Sequence, residues 1–356
     1  MAFPAIGNEG DEQVRVRFGR AIRRDLASEL ERLGSRQAMI LSTPQQSDLA
    51  FEASEVLGPL AAGVFSKATM HTPINVTEDA LEHLRASRAD CLVALGGGST
   101  IGLGKALAYR TDLPQITVPT TYAGSEATPI LGQTEDGVKT TLSDPRVLPE
   151  VILYDPELVA TLPVGMTVTS GLNAMAHAAE ALYAENRTKE TTNLAIEGLQ
   201  ALAEGLPKVV DAPGDLDARE MTQRGAWACG TVLGRVGMAL HHKLCHTLGG
   251  SFDLPHAETH AIILPHAIAY NARAAARELE AITDVLGGKS AGQSLFGFAK
   301  TLGAPLALRD LGVSETDLDR AADLATRKPY PNPRPVTQND IRALLQAAWA
   351  GDAPAF

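Results

Sequence analysis

An apolar run at residues 90–95 (DCLVAL) ends without a loop in Gly96, Gly97, Gly98 and Ser99, and a helical pattern (IGLGKALAY) begins at once. A buried strand that turns straight into a helix through three glycines is half of a βα unit. The rest of the first half repeats the rhythm. Short strand patterns at 14–18 (VRVRF), 37–42 (QAMILS), within 61–70, at 115–119 (QITVP) and at 151–154 (VILY) alternate with helical patterns at 21–33, 48–57 and 76–89, the last with Thr77 as its candidate cap. Such alternation predicts a parallel, doubly wound sheet. After Pro163 it stops. Residues 167–185, 191–206, 218–238, 289–302 and 315–325 read as helices, and residues 329–335 (PYPNPRP) as an extended turn before a last helix over 338–350. The expected organisation is an α/β domain over 1–163 and an all-helical domain over 164–356.

Composition bounds the partners. The 356 residues carry a formal charge of -11, which argues against a nucleic-acid or anionic-membrane partner and requires any anionic ligand to find a local basic pocket. Three cysteines, Cys91, Cys229 and Cys245, form no CxxC pair, which speaks for a reducing cytoplasm. No long apolar span occurs, and residues 1–13 carry no secretory pattern.

The glycine stretch is the clearest cofactor signal. Glycines let the backbone approach a pyrophosphate, and the following helix N-terminus offers unpaired N–H groups. Ile101 breaks the GxGxxG pattern. Thr120, Thr121, Tyr122 and Ser125 follow the next strand, where hydroxyls suit a ligand crevice. The strand before Ser42 and Thr43 leads to no carboxylate, so a 2′-phosphate is not repelled, and no Arg or Lys sits at 42–46 to demand one. Both NADH and NADPH remain open as cofactors.

Residues 237–271 hold six of the nine histidines: His241, His242, His246, His256, His260 and His266. Imidazole titrates near neutrality and is the commonest metal ligand, so this density suggests a site. Asn173 and His177 stand four apart on one helix face, as do His242 and His246. His256 follows beyond Pro255, and His266 lies past Pro265, where a loop and a packing role are expected.

GGGS, PTTYAGSEAT, YDPELVATLP, the N-x3-H pair and H-x3-H with nine residues before the next His resemble the group III, iron-containing alcohol dehydrogenase superfamily over nearly the whole chain. FGRAIRRDLASELERLG, GLNAMAHAAEALYA and NPRPVTQNDIRALLQAAWAG make the sequence look most like its maleylacetate reductases. The resemblance implies a nucleotide domain, a helical domain and an active site in the cleft between them. It assigns one Asp and three His to a metal, and here these positions are Asn173, His177, His242 and His256, with His246 as a further active-site histidine. Asn173 removes the anionic ligand, so no bound metal is expected.

The implied reaction is NAD(P)H-dependent reduction of the C=C bond of maleylacetate to 3-oxoadipate in aromatic catabolism. Hydride addition β to a ketone leaves an enolate that needs donors rather than a Lewis acid. His242 and His246 are the candidate donors, with His177 and His256 as catalytic neighbours. Asn173 and Lys243 are candidate contacts to the dicarboxylate substrate, with surface salt bridging the favoured alternative for both Lys243 and Arg235. Similar proteins are often homodimers, so a homodimer is expected. The competing readings are a metal-dependent alcohol or polyol dehydrogenase, a cyclase resembling dehydroquinate synthase, and a non-enzymatic sensor; Asn173 weighs against the first two, and nothing in the sequence indicates the partner surface that the sensor needs.

Overall fold

The computed structural model describes residues 14–135 and 138–355. The reading of residues 1–13 lies outside the described residues. The chain divides into two units: the first runs to Thr120 and resumes over Pro129–Pro156, and the second takes Thr121–Thr128 and everything from Glu157 on.

The first unit alternates strand and helix as β1 (Arg15–Phe18), α1 (Leu26–Arg32), β2 (Ala38–Leu41), α2 (Ser47–Leu57), β3 (Ala61–Phe65), α3 (Ile74–Ser87), β4 (Cys91–Gly96), α4 (Gly98–Thr111) and β5 (Gln115–Pro119), then β6 (Ile130–Glu135), β7 (Val138–Ser143) and β8 (Val151–Tyr154). Six strands form one sheet in the order β1-β8-β5-β4-β2-β3, every pair parallel. β2, β4, β5 and β8 are buried end to end, as a sheet covered on both faces requires. Met39, Leu41, Leu92, Leu103 and Leu107 share the core on one face. The chain winds outward from β2 to β3, then returns past β2 to place β4 on its other side. That reversal is a topological switch point, and ligands bind at the carboxyl ends of strands there. Leu41 pairs with Ala94 and Gly96 with Pro119, so Thr43, Gly96–Ser99 and Thr120 lie at neighbouring strand tips.

Two readings of this unit change. Thr77 is no cap: α3 starts after Pro73, and the Thr77 hydroxyl donates to the Pro73 carbonyl one turn back. The β6–β7 hairpin, antiparallel from Ile130↔Ser143 to Glu135↔Val138, was not expected. Its signal was an Asp-Gly pair at 136 and 137 between two alternating runs.

The second unit contains α5 from Glu157 on (Pro156–Val159), α6 (Val164–Ala181), α7 (Lys189–Asp211), α8 (Leu216–Arg235), α9 (Leu240–Phe252), α10 (His256–Asn271), α11 (Ala276–Leu286), α12 (Ala291–Thr301), α13 (Leu318–Thr326) and α14 (Gln338–Ala350). The α/β half and the helical half thus stand as expected. The units part at Pro156/Glu157, and residues 121–128 group with the helical unit. Glycines explain the crossover. A Cβ on Gly124 would sit 2.9 Å from the Gly230 Cα, and one on Gly230 would strike the Gly124 carbonyl, so only two glycines let this loop lie flush on α8.

His266 is not beyond a loop. α10 runs through Pro265, and His266 is fully buried inside it. Pro265 removes one helical N–H, but apolar residues on all sides hold the helix together. Gly292 makes room here, because a Cβ on it would stand 2.7 Å from the Pro265 carbonyl.

Candidate active site

The nucleotide signal belongs to the first unit. Gly96 has φ +156, and a Cβ there would stand 2.9 Å from Gln46 Oε1 and run into the Thr100 hydroxyl. A Cβ on Gly98 would meet open space. Gly97 caps α4 without a side-chain acceptor; its carbonyl takes the Thr100 and Ile101 amides, and the Gly98 and Ser99 N–H groups stand at the open end of this 14-residue helix. Gln46 ties the strand tips together by donating 2.8 Å to the Thr120 hydroxyl. The Ser42 hydroxyl donates to Ser66, and Thr43 caps the short turn over Pro44–Gln46 in extended conformation. These residues fit a dinucleotide phosphate. The rest of the predicted stretch lies in the helical unit. Tyr122 is fully buried, its hydroxyl accepts from the buried Arg219 at 3.4 Å, and burial pushes its pKa up to about 12. Ser125 opens a short 3-10 turn after Gly124, and Thr121 stands at the head of the same loop.

The histidines converge around a residue the sequence reading passed over. Glu180 lies on α6 seven residues after Asn173 and three after His177, on the same helix face, and is fully buried. Its carboxylate accepts four hydrogen bonds: from the His241 amide at 2.7 Å and the Tyr183 hydroxyl at 3.2 Å on one oxygen, and from the Ala239 amide at 2.9 Å and His242 Nδ1 at 2.7 Å on the other. Burial alone would raise its pKa, but these donors outweigh it and hold the carboxyl below its ordinary range. Glu180 is therefore an anion at the N-terminus of α9, where the helix dipole also favours one. Asn271 backs the arrangement by donating to the Tyr183 hydroxyl at 3.1 Å, and it pairs with Asn332, which in turn accepts from the Leu240 amide.

His242 Nε2 faces His177 Nδ1 at 2.9 Å, and His177 Nε2 faces the Ala123 carbonyl at 3.2 Å. A carbonyl only accepts, so His177 Nε2 carries a hydrogen. Burial, then His242, pushes His177 well below its ordinary pKa, so His177 is neutral and its Nδ1 is an acceptor. The hydrogen between the rings then belongs to His242, whose Nδ1–H already points at Glu180. The pattern closes only with both nitrogens of His242 protonated against the Glu180 carboxylate, a buried ion pair that stores one proton.

His246, one turn on, is exposed, with its ring centre 6.2 Å from that of His242. His256 opens α10, also exposed, 4.2 Å from the ring of His260. His241 and His260 meet at 2.9 Å in the interior. His266 stands apart, against Phe296, with neither ring nitrogen partnered among the described residues. Lys243 sets its ammonium 5.8 Å from the Tyr330 ring centre. The buried Tyr330 hydroxyl has no partner among the described residues and is a donor that the sequence reading missed. Arg235 is taken up at the surface, 2.8 Å from Glu190.

The four inherited ligand positions do not fit a divalent ion. One observation favours an ion: Asn173 Oδ1 is buried without a hydrogen-bond partner among the described residues. The donor set outweighs it. Asn173 is a neutral amide, His177 and His242 engage one another, and His256 is exposed. Among the described residues, the one trio of converging His, Cys or carboxylate ligand atoms is His241, Cys245 and His260, none of them an inherited position.

Comparison with known proteins agrees with the fold and the pattern. The description "Iron-containing alcohol dehydrogenase" matches residues 13–156, and "Fe-containing alcohol dehydrogenase family, C-terminal" matches residues 167–349. The chain is 59% identical to maleylacetate reductase of Rhizobium sp. (strain MTP-10005), covering 96% of this chain and 97% of that one. It is 51% identical to maleylacetate reductase of Burkholderia cepacia at the same coverage. The crystal structure of maleylacetate reductase from Agrobacterium tumefaciens superposes with a TM-score of 0.94 at 59% identity, covering 96% of this chain and 97% of that one. The chain belongs to the iron-containing alcohol dehydrogenase family, within its maleylacetate reductases.

Proposed function

We propose that this enzyme reduces the C=C bond of maleylacetate to give 3-oxoadipate, with NADH or NADPH as hydride source, in the degradation of aromatic compounds. The observation that carries the reading is the hydrogen-bonded chain from Glu180 through His242 to His177, which holds a transferable proton beside a donor set without an anionic metal ligand. The activity named for the relatives supports it.

The reduced nicotinamide, when bound, supplies hydride to the carbon β to the ketone. The electron pair of the C=C bond moves onto the ketone oxygen as an enolate. His242 offers its proton to the α carbon as the enolate collapses, and Glu180 keeps the remaining Nδ1–H in place. His246, exposed one turn along, returns a proton from solvent. His177 and His256 flank this exchange, and Asn173 lends its amide to the substrate. Lys243 and the Tyr330 hydroxyl serve the carboxylates. Gly96, Gly97, Gly98 and Ser99 hold the pyrophosphate, with Thr43 toward the adenine ribose and Thr120 completing the contacts of the first unit; in the second unit Thr121 and Ser125 form the loop that follows. Tyr122 supports that loop from within. Among the described residues, no helix is long and apolar enough to cross a membrane. Free, buried cysteines suit a cytoplasmic enzyme, and a homodimer is the assembly we expect.

Reduction with nicotinamide deuterated at its transferable position tests the reaction. The product should carry one deuterium on the carbon β to an intact ketone and a solvent-derived hydrogen on the α carbon. A deuterated hydroxy acid with the C=C bond retained would instead support an alcohol dehydrogenase.

A further inference from the structure

α9 and α10 carry a second cluster that the proposed reaction does not use. His241 and Cys245 stand four apart on the buried face of α9, and His260 faces them from α10; all three are buried. His241 Nε2 lies 2.9 Å from His260 Nδ1, and Cys245 Sγ lies 3.7 Å from His241 Nε2. The three ligand atoms fall within 4.8 Å of one another. The outer nitrogens, His241 Nδ1 and His260 Nε2, are buried and find no partner among the described residues. Two imidazoles and a thiol are the donors a borderline-soft divalent ion selects.

We propose that His241, Cys245 and His260 form a binding site for one zinc-class divalent ion, distinct from the inherited metal positions and outside the reaction. Tetrahedral zinc with ordinary bond lengths separates two imidazole nitrogens by roughly 3.3 Å, and a sulfur from a nitrogen by about 3.5 Å. The observed 2.9 and 3.7 Å lie within a few tenths of an ångström of these values, and the remaining pair, Cys245 Sγ and the His260 nitrogen, lies within 4.8 Å. Burial holds His241 and His260 well below their ordinary pKa, so both rings are neutral, the form that ligates. Burial and then Glu180 push the Cys245 thiol well above its ordinary range, so it stays protonated until an ion takes the proton's place. Binding balances as follows. The thiol proton leaves to solvent as the metal–sulfur bond forms. The hydrogen shared by the two rings moves to an outer nitrogen, freeing both facing lone pairs. The ion then fastens α9 to α10, and an ion that binds the folded state raises its stability.

Cobalt(II) added to the chelator-stripped, full-length protein without oxygen is the probe. We expect a thiolate-to-cobalt charge-transfer band that saturates at one equivalent, is displaced by zinc, and vanishes in both Cys245→Ser and Cys245→Ala while circular dichroism stays unchanged. His256→Ala should keep the band. Zinc should raise the thermal midpoint of the wild type and leave that of the Cys245 variants unmoved. Absence of the band in the wild type, its persistence in both Cys245 variants, or its loss in His256→Ala would overturn the assignment. None of these readouts depends on the enzyme's activity.

Discussion

Glu180 Oε2 and His242 Nδ1 lie 2.7 Å apart, and both side chains are buried. The carboxylate is already fully engaged by two backbone amides and a tyrosine hydroxyl, so it orients the imidazole without itself taking a proton. Glu180→Gln replaces the anion with an amide that must aim two donors into a ring of donors. We expect turnover to fall by about a hundredfold, NADH affinity to hold, and stability to drop by about 1–3 kcal/mol. Glu180→Asp should keep more turnover than Glu180→Gln. Equal turnover in both variants would mean that the charge is not what matters.

Among the histidines, His242→Ala and His246→Ala should each lower turnover by about a hundredfold or more with NADH binding little changed. His266→Ala should act through packing alone, because His266 lies against Phe296 and away from the cluster. Kinetics on the three variants decide the matter. A His266→Ala enzyme more damaged in turnover than the other two would put the active site elsewhere.

The nucleotide site is tested at Gly98 and Thr43. A side chain at Gly98 meets open space, so Gly98→Val should fold normally yet weaken NADH binding by about tenfold or more by obstructing the pyrophosphate. Thr43→Asp should weaken NADPH more than NADH, since a carboxylate repels the 2′-phosphate. Isothermal titration with both cofactors reads both effects. Unchanged affinity in Gly98→Val would reduce the glycine stretch to a structural turn.

Much of this was legible beforehand. Continuous apolar runs such as DCLVAL mark fully buried parallel strands, and the sheet follows from them. The placement of His177 near His242 was readable as matching four-residue spacings on two helices. Glu180 was not read, although Asn173, His177 and Glu180 share one helix face, because a carboxylate on an otherwise apolar helix reads as solvated unless its partners are known. Those partners, the amides of Ala239 and His241, come from a helix start some sixty residues on. The continuation of α10 through Pro265 was hidden for a related reason: local propensity breaks a helix at proline, and tertiary burial overrides it.

Acid should destabilise the fold with a definite sign. Burial lowers the pKa of His266 from 6.5 to about 4, so between those values the unfolded chain binds a proton that the folded one refuses. Its contribution is present above about pH 6.5 and is lost as pH falls toward 4, by up to about 1.4 kcal/mol per unit. His177, His241 and His260 shift in the same direction and steepen the loss. His266→Leu should flatten the pH dependence of denaturant unfolding by that amount across this window, and should stabilise the fold at low pH. Parallel curves for variant and wild type would show that His266 protonates without unfolding anything.

The most direct test of the account is the consumption of NADH with maleylacetate by enzyme stripped with chelator and verified free of metal. A proton stored on His242 against Glu180, beside the neutral amide of Asn173, predicts that turnover stays close to that of the untreated enzyme. Loss of turnover on stripping, restored by iron or zinc alone, would contradict it.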